Sequence, residues 1–441
     1  MLTEEQAREI CEKVIAASEA DGIEVWVGGG DSALTRFAEN IIHQNVAESG
    51  QGASVRVRAG KRLGGASTND LSDASLQRMV AAATEAARLS EPDEELMPLI
   101  GPQEYRPTDA FRQDTTFEAF TAEDRAAAVQ QAVRAAQDSG LKCAGSFTQD
   151  AGAQAVANSE GVLAYHAGTG ASFSITTQAE DSTGWDNGEG LSVSDFDVRS
   201  VAQTAVRGAL RSRAPQDIEP RPYATILQPA AVADMIAFLP GHFNALALDE
   251  GRSCLRDRLG EQIASELVTM RSDPWHPLHQ GAPFGHEGLP RQPLTLIEKG
   301  VARDLAYDRL TASKHNTEPT GHGSGGSNTG GALPWDIVVE GGSASVEEMI
   351  AQVDHGLLVT RMWYLRTVDP LKVLVTGMTR DGLFLIEKGE VQGPVKNLRF
   401  NESALNMLKN VVALSPSVRA FGLVVPAMLV EGFTFTSATE F

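Results

Sequence analysis

A histidine follows an apolar segment near the middle of the chain, where residues 235–253 read MIAFLPGHFNALALDEGRS. Apolar residues recur at helical spacing up to Leu239, which predicts a buried helix that stops at Pro240. Imidazole is a common zinc ligand, so His242 could be the remnant of a metal site. The alternative is an ordinary helix-terminal histidine with no ligand.

Three further histidines, His276, His279 and His286, lie close together in the segment DPWHPLHQGAPFGHEG, with Glu287 directly after the last. Their spacing alone would permit a metal ion. The prolines in the segment prevent a helix that would aim the rings at one point, so a solvated loop is favoured. A metal site in this loop remains the alternative.

A glycine-rich segment, PTGHGSGGSNTGGALP, covers residues 319–334. It lacks the lysine that a phosphate-binding loop places after its glycines, so a nucleotide site is not expected. Glycine lets a backbone approach a ligand closely, and we expect a flap where His322, Ser324 and Asn328 hydrogen-bond a substrate, with His242 as a further substrate-binding residue. A surface loop that binds nothing is the alternative.

No other pattern offers a nucleophile. A GxSxG elbow is absent, and Cys11, Cys143 and Cys254 are widely spaced with no CxxC pair. Covalent hydrolysis, a disulfide framework and a zinc ribbon are therefore not expected. We predict no catalytic residue and no metal ligand in this chain.

The composition narrows the class of protein and its partners. The chain has 441 residues, a net charge of −21 and a hydrophobic content of 42%. Such a charge repels nucleic acid, and no apolar run is long enough to span a bilayer. The N-terminal sequence MLTEEQAREICEK lacks the features of an export signal, so we expect a cytoplasmic protein.

The elements that must position these residues predict an α+β fold with two domains. Helices are expected from Thr3 to about Ala20, from Ser72, from 121 and around 196–211. Short strands separated by Gly or Asp turns are expected from 141 onward. The proline-rich stretch RAPQDIEPRPY separates residues 1–213, a mixed α/β meander with long helices, from residues 223–441, which are mostly β.

Several long segments resemble the TldD/PmbA family of zinc metallopeptidases. In the first half these are GASVRVRAGKRLGGASTNDLSDASLQRMVAAATEAA and NSEGVLAYHAGTGASFSITTQAED. In the second half they are EQIASELVTMRSDP, LTLIEKGVARDLAYDRLTA and the long block at 338–410 that begins VVEGGSASVEEMIAQVDHG. The resemblance covers most of the chain and implies a cytoplasmic peptidase built from a catalytic TldD subunit and a related PmbA/TldE subunit without the metal motif.

The metal motif of the family is incomplete in this sequence. The HExxxH pattern of the catalytic subunits aligns with Ala237, Phe238 and His242, and the cysteine that the family places before its last strand is absent. Zinc needs three protein ligands and an open position. The resemblance therefore implies a degenerate metallopeptidase domain without a cofactor, with zinc expected only in a TldD-like partner.

Together these features predict the non-catalytic subunit of a TldD/TldE-type peptidase. It would form a heterodimer with a TldD-like catalytic subunit, or a homodimer, and help to hold short or unfolded peptides. A non-enzymatic, self-associating scaffold or peptide-binding protein of the same fold is the alternative.

Overall fold

The computed structural model describes residues 1–324 and 330–439. The helices of this part of the chain are α1 (Glu4–Ala16), α2 (Asp73–Leu89), α3 (Ala122–Asp138), α4 (Val198–Arg211), α5 (Pro229–Ile236), α6 (Ala245–Asp249), α7 (Arg309–His315), α8 (Val346–Ala351) and α9 (Ala404–Lys409). Its first strands are β1 (Gly22–Ala38), β2 (Ile41–Ala59), β3 (Arg62–Thr68), β4 (Lys142–Asn158), β5 (Leu163–Gln178), β6 (Thr183–Gly190) and β7 (Pro222–Leu227). The remaining strands are β8 (Met270–Ser272), β9 (Leu294–Glu298), β10 (Val301–Ala302), β11 (Ile337–Val339), β12 (His355–Asp369), β13 (Leu374–Glu387), β14 (Glu390–Pro394), β15 (Leu398–Ser403), β16 (Val411–Leu414), β17 (Val418–Ala420), β18 (Leu423–Val425) and β19 (Met428–Ala438).

The first sheet is antiparallel and has the order β3-β2-β1-β4-β5-β6. It consists of two halves with the same element order, α1-β1-β2-β3-α2 and α3-β4-β5-β6-α4. The halves meet where β1 pairs with β4. The helices α1 and α2 pack on one half and α3 and α4 on the other, each pair with its own apolar core.

A glycine on the outer strand of each half lets a helix approach the sheet closely. A Cβ at Gly64 would overlap the backbone of α2 at Ala83, and a Cβ at Gly184 would overlap the backbone of α4 at Ala205. Both contacts require glycine for space.

The chain after the proline-rich stretch forms two further sheets. One has the order β10-β9-β8-β11-β18-β17, and the other has the order β12-β7-β19-β15-β13-β14. An additional β12–β13 pairing closes five strands of the latter into a barrel. Side chains from both sheets and from α5 share one large apolar core that includes Leu227, Met235, Phe243 and Phe400.

The α+β class is confirmed, and α4 lies where the sequence placed it. Three local predictions were wrong. The first helix ends at Ala16, and the helix after β7 ends at Ile236, four residues before Pro240. The strands predicted separately after 141 are the long β4 and β5, which run through their glycines without turning. The division into two domains stays a prediction.

Contacts across the chain join the first sheet to the C-terminal region. The Trp26 indole donates to His286 O at 2.9 Å, the Tyr105 hydroxyl donates to Gly288 O at 2.6 Å, and Gly422 N donates to a Glu189 carboxylate oxygen at 3.0 Å. The segment that carries His286 and Gly288 therefore lies against the first sheet.

In the described ranges, no helix is long and apolar enough to cross a membrane.

Candidate functional site

The segment around His242 follows the last turn of α5. Ala237 is the C-cap of that helix, and His242 lies in a short 3₁₀ turn between Pro240 and Phe243. The His242 ring accepts a hydrogen bond from Cys254 N at Nδ1 (3.2 Å), and its carbonyl accepts one from the Ser253 hydroxyl (2.7 Å). Burial lowers the pKa of His242. The neutral ring therefore holds the turn at 253–254.

The three positions aligned with the metal motif do not fit zinc. Ala237 offers a methyl group, and Phe238 packs against the large C-terminal core. Within residues 1–324 and 330–439, no group of three or more His, Cys, Asp or Glu side chains is arranged to hold a metal ion. Zinc binding requires such a set of ligands, and the three aligned positions do not supply one.

The three histidines of the 273–288 loop have separate surroundings. His279 Nε2 lies 2.8 Å from Asp336 Oδ1, whereas His276 Nδ1 accepts from Leu278 N at 3.3 Å. His286 is exposed and contributes its carbonyl to Trp26. The loop is held by hydrogen bonds to different parts of the fold, and its rings do not converge.

His322 lies inside the protein with only 3% of its surface exposed. Its Nε2 is 3.2 Å from the Ser272 hydroxyl, and its Nδ1 is 3.0 Å from the Thr320 hydroxyl. Burial, with the charge of Arg291, lowers its pKa to about 4. The structure therefore places this predicted site residue among protein hydroxyls; its binding of substrate stays a prediction.

Hydrogen bonds hold the described residues of the glycine-rich segment in place. Both the amide and the hydroxyl of Ser324 donate to Gly331 O at 3.0 Å. The Asn244 side chain donates to Gly330 O at 3.2 Å, which brings the segment beside the chain that follows His242. Asn328, the remaining predicted contact, lies outside the described residues.

Ser324 lines a cavity of about 420 Å³ between the first sheet and the C-terminal region. Charged side chains from both regions line it. Glu24 and Arg56 come from the first sheet and form an ion pair of 2.9 Å. Asp308 and Arg309 come from the C-terminal region, at the start of α7. The cavity therefore offers groups of both charges to a polar ligand.

Glu287 is the least compensated of these groups. Its Oε2 atom is buried without a hydrogen-bond partner. Burial, with the nearby charge of Asp308, raises its pKa to about 7. A Cβ at Gly323 would overlap the Glu287 carboxylate, so the glycine-rich segment lies directly against it. This carboxyl can therefore gain or lose a proton near neutral pH.

A second cavity of about 690 Å³ is lined by Trp26, Phe284, His286 and Arg291. The Arg56 guanidinium stacks on the Trp26 ring at 4.9 Å and so connects the walls of the two cavities. The larger cavity is therefore lined by aromatic rings, whereas the smaller cavity is lined by charged groups.

A buried ionic cluster fixes the wall behind the larger cavity. Asp336, which is 3% exposed, lies 2.8 Å from His279 and accepts from Arg291 at 2.6 Å. Burial alone would raise the pKa of Asp336, but the His279 hydrogen bond and the Arg291 charge outweigh it and hold the pKa below its usual value. Burial, followed by the Arg291 charge, lowers the pKa of His166 to about 4. These ionic contacts hold Arg291 at the cavity wall.

Family models match almost the whole chain. The PmbA/TldA metallopeptidase domain 1 matches residues 24–87, the central domain matches 115–213, and the C-terminal domain matches 220–437. The chain belongs to the PmbA/TldD family. The models of the PmbA/TldD family divide the chain into three segments, of which the first two supply strands to one continuous sheet.

Relatives in the PmbA/TldD family carry peptidase names. Metalloprotease PmbA of Escherichia coli O157:H7 is 26% identical over 95% of this chain and 94% of its own length. A metalloprotease TldD homolog of Buchnera aphidicola is 26% identical over 39% of this chain and 35% of its own length. The crystal structure of TldE from Thermococcus kodakarensis matches 97% of this chain and 99% of its own, with a TM-score of 0.88 and 22% identity, and shares the fold.

A local sequence pattern indicates one wall of the smaller cavity but not the other. Ser324 was predicted from the glycine-rich pattern, and Glu287 was noticed only as a neighbour of a histidine. Trp26 and Arg56 lie on neighbouring strands of the first sheet, more than 200 residues away in sequence from Glu287. No spacing rule connects such distant residues.

Proposed function

We propose that this chain is a PmbA/TldE-like subunit without zinc of its own, which works with a TldD-like chain in the cytoplasm to cleave short or unfolded peptides. The observation that carries the proposal is the loss of ligands after α5. Ala237 has a methyl group, Phe238 packs on the core, and the His242 ring nitrogen accepts from Cys254 N. The peptidase chemistry would come from the partner's zinc centre.

The contribution of this chain would be to bind and orient the peptide. A peptide in the two cavities would meet the aromatic surface of Trp26 and the carboxyl of Glu287, whose Oε2 has no partner. Ligand sites commonly combine an apolar surface with a few polar groups that set orientation. The arrangement supports binding of an extended chain that has both apolar and amide groups.

The test compares the two chains separately and mixed. This chain alone should contain well under one zinc per molecule by elemental analysis and should leave an unstructured peptide intact. Mixing it with a TldD-like chain from the same cell should give one peak in size-exclusion chromatography and cleavage that a chelator abolishes. An interface of at least roughly 1,000 Å² is expected for a stable pair.

Two results would contradict the proposal. Stoichiometric zinc that survives dialysis, and is lost on His279→Ala, would assign a metal site to the histidine loop. Separate elution of the two chains, with the TldD-like chain fully active alone, would instead favour a scaffold or peptide-binding protein.

A further inference from the structure

The barrel strand β12 continues well beyond its contact with β7. It pairs with β7 from Gly356 to Val359 only, whereas β13 follows it from His355 to Asp369. Beyond Val359, no described strand pairs with the other edge of β12, where the Asp234 carboxylate accepts from Met362 N. We call residues 361–380 the arm. Past the bulge, residues 366–369 of this edge have no strand partner among the described residues other than β13, so a further strand could pair there.

Large apolar side chains are concentrated on the arm. The exposed fractions are 43% for Trp363, 61% for Tyr364, 54% for Val368 and 52% for Leu371. Single exposed apolar residues are normal, but a contiguous group marks an interaction surface. These four residues fall within nine positions of the chain, so this end of β12 and the turn after it are rich in exposed apolar side chains.

A bulge in β12 turns the Tyr364 ring outward. The register shifts between Trp363 and Arg366, and Tyr364 has a φ of 58°. Leu365, the other residue of the bulge, packs inward against the core. Positive φ at a bulky residue costs on the order of 1–3 kcal/mol and is often found at functional sites. The fold therefore maintains a strained backbone that exposes an aromatic ring.

Arginines stack on both exposed rings. The Arg366 guanidinium lies 4.6 Å from the centre of the Tyr364 ring, and that of Arg380 lies 4.3 Å from the Trp363 ring. Trp, Tyr and Arg are the residues most enriched at the energetic centres of protein interfaces. Ordered stacking also reduces the entropy that the side chains would lose on binding.

The arm is basic although the whole chain has a net charge of −21. Residues 361–380 contain four basic residues and one acidic residue, Asp369. Asp381, directly after the arm, pairs with Arg361 at 2.6 Å and lies 3.6 Å from Arg380. Lys372 pairs with Asp369 at 3.3 Å, so four basic and two acidic residues leave a net charge of +2. A docked surface should therefore be acidic and have an apolar centre.

We propose that the arm is the surface on which the TldD-like chain docks, by laying an acidic strand edge along the open edge of β12 and covering Trp363 and Tyr364. The identity of the partner rests on the proposed function above. The position and chemistry of the surface rest on the arm itself.

The test uses Tyr364→Gly, because glycine adopts positive φ without strain. This change should preserve or raise the melting temperature while weakening the TldD-like complex at least tenfold, measured by isothermal titration calorimetry. A merely structural tyrosine would not lower affinity without lowering stability. Trp363→Ala should weaken the complex similarly. Leu89→Ala removes an apolar side chain that is 76% exposed on α2, far along the chain from the arm, and should leave affinity unchanged.

Each other outcome overturns the inference in a different way. If the wild-type complex forms and the Tyr364→Gly and Trp363→Ala variants bind as tightly as the wild type, the TldD-like chain does not dock on the arm, and the proposed function stands. If no complex forms, the proposed function fails and the docking proposal with it. Loss of self-association alone in sedimentation would assign the arm to a second copy of this chain. Loss of binding to phosphatidylserine vesicles alone would assign it to a membrane.

Discussion

Glu287 combines a buried, unpartnered oxygen with a position on the wall of the smaller cavity. Its pKa is raised from 4.5 to about 7, so the folded state holds this proton more tightly than the unfolded state does. Stability from this group is therefore present at low pH and decreases as the pH rises from about 4.5 to about 7. A proton on Glu287 favours the folded chain.

Glu287→Gln should remove that dependence because the amide stays neutral. At pH 8 the variant should be more stable than the wild type, by up to about 3 kcal/mol for a shift of this size. The difference should shrink as the pH approaches 4.5. Urea unfolding at pH 5 and pH 8 measures it. Glu91→Gln, an exposed carboxylate on the same cavity, is the control and should show no such difference.

Restoring the two lost motif residues should not restore a peptidase. In Ala237→His with Phe238→Glu, the new histidine would be at the end of α5 and the new carboxylate would replace a ring packed on the core. Phe238 is partly buried, and an unpaired carboxylate in its place would lose part of its hydration, so the double variant should unfold at lower urea than Ala237→His alone. A soluble, zinc-loaded and active double variant would show that the chain retains the remaining ligands.

At the scale of elements, the glycines on the outer strands of the first sheet set how closely the helices pack. Gly64→Ala should destabilise the protein by roughly 1–3 kcal/mol or more, because α2 must move away from β3. Gly65→Ala is a matched control on the same strand, where a Cβ would meet Val55 O at an ordinary 3.5 Å. Equal urea midpoints for the two variants would contradict this account of the packing.

Much of the fold was predictable because helices have local signals. The capping boxes at Thr3 and Thr121 mark real helix starts. Glycine was the misleading signal: Gly152 suggested a turn, yet it lies inside β4, where it pairs with Gly30 on one side and Gly168 on the other. A sequence does not say whether a glycine provides a turn or makes room for a neighbouring strand.

The site was less predictable than the fold, because distant segments build it. Asp336, Arg291 and His166 come from three parts of the chain. Only once the sheets have packed does Asp336 pair with Arg291, and does the Arg291 charge help to lower the pKa of His166. The positions of the HExxxH pattern lie within a few consecutive residues, so the sequence alone could suggest that this pattern is incomplete. The cavity walls come from distant segments, so the sequence alone could not suggest them.

At the scale of the whole molecule, the net charge of −21 should govern how fast this chain meets another acidic chain. Long-range repulsion extends about 10 Å at 0.1 M salt and further at lower salt. The association rate constant with an acidic TldD-like chain should therefore rise as salt increases from low to moderate, in contrast to pairs steered by opposite charge. Stopped-flow mixing across a salt series measures it, and a steadily falling rate constant would contradict it.

The two-half arrangement of the first sheet also has a consequence for synthesis on the ribosome. Glu24 of β1 pairs with Asn158 of β4, so the first half emerges well before its neighbouring strand exists. During that delay, on the order of ten seconds, one edge of β1 is open to other nascent chains. Three consecutive glycines and Asp31 occupy the middle of β1. These residues disfavour pairing with strands of other chains. The sequence therefore protects the open edge of β1 until β4 has been synthesised.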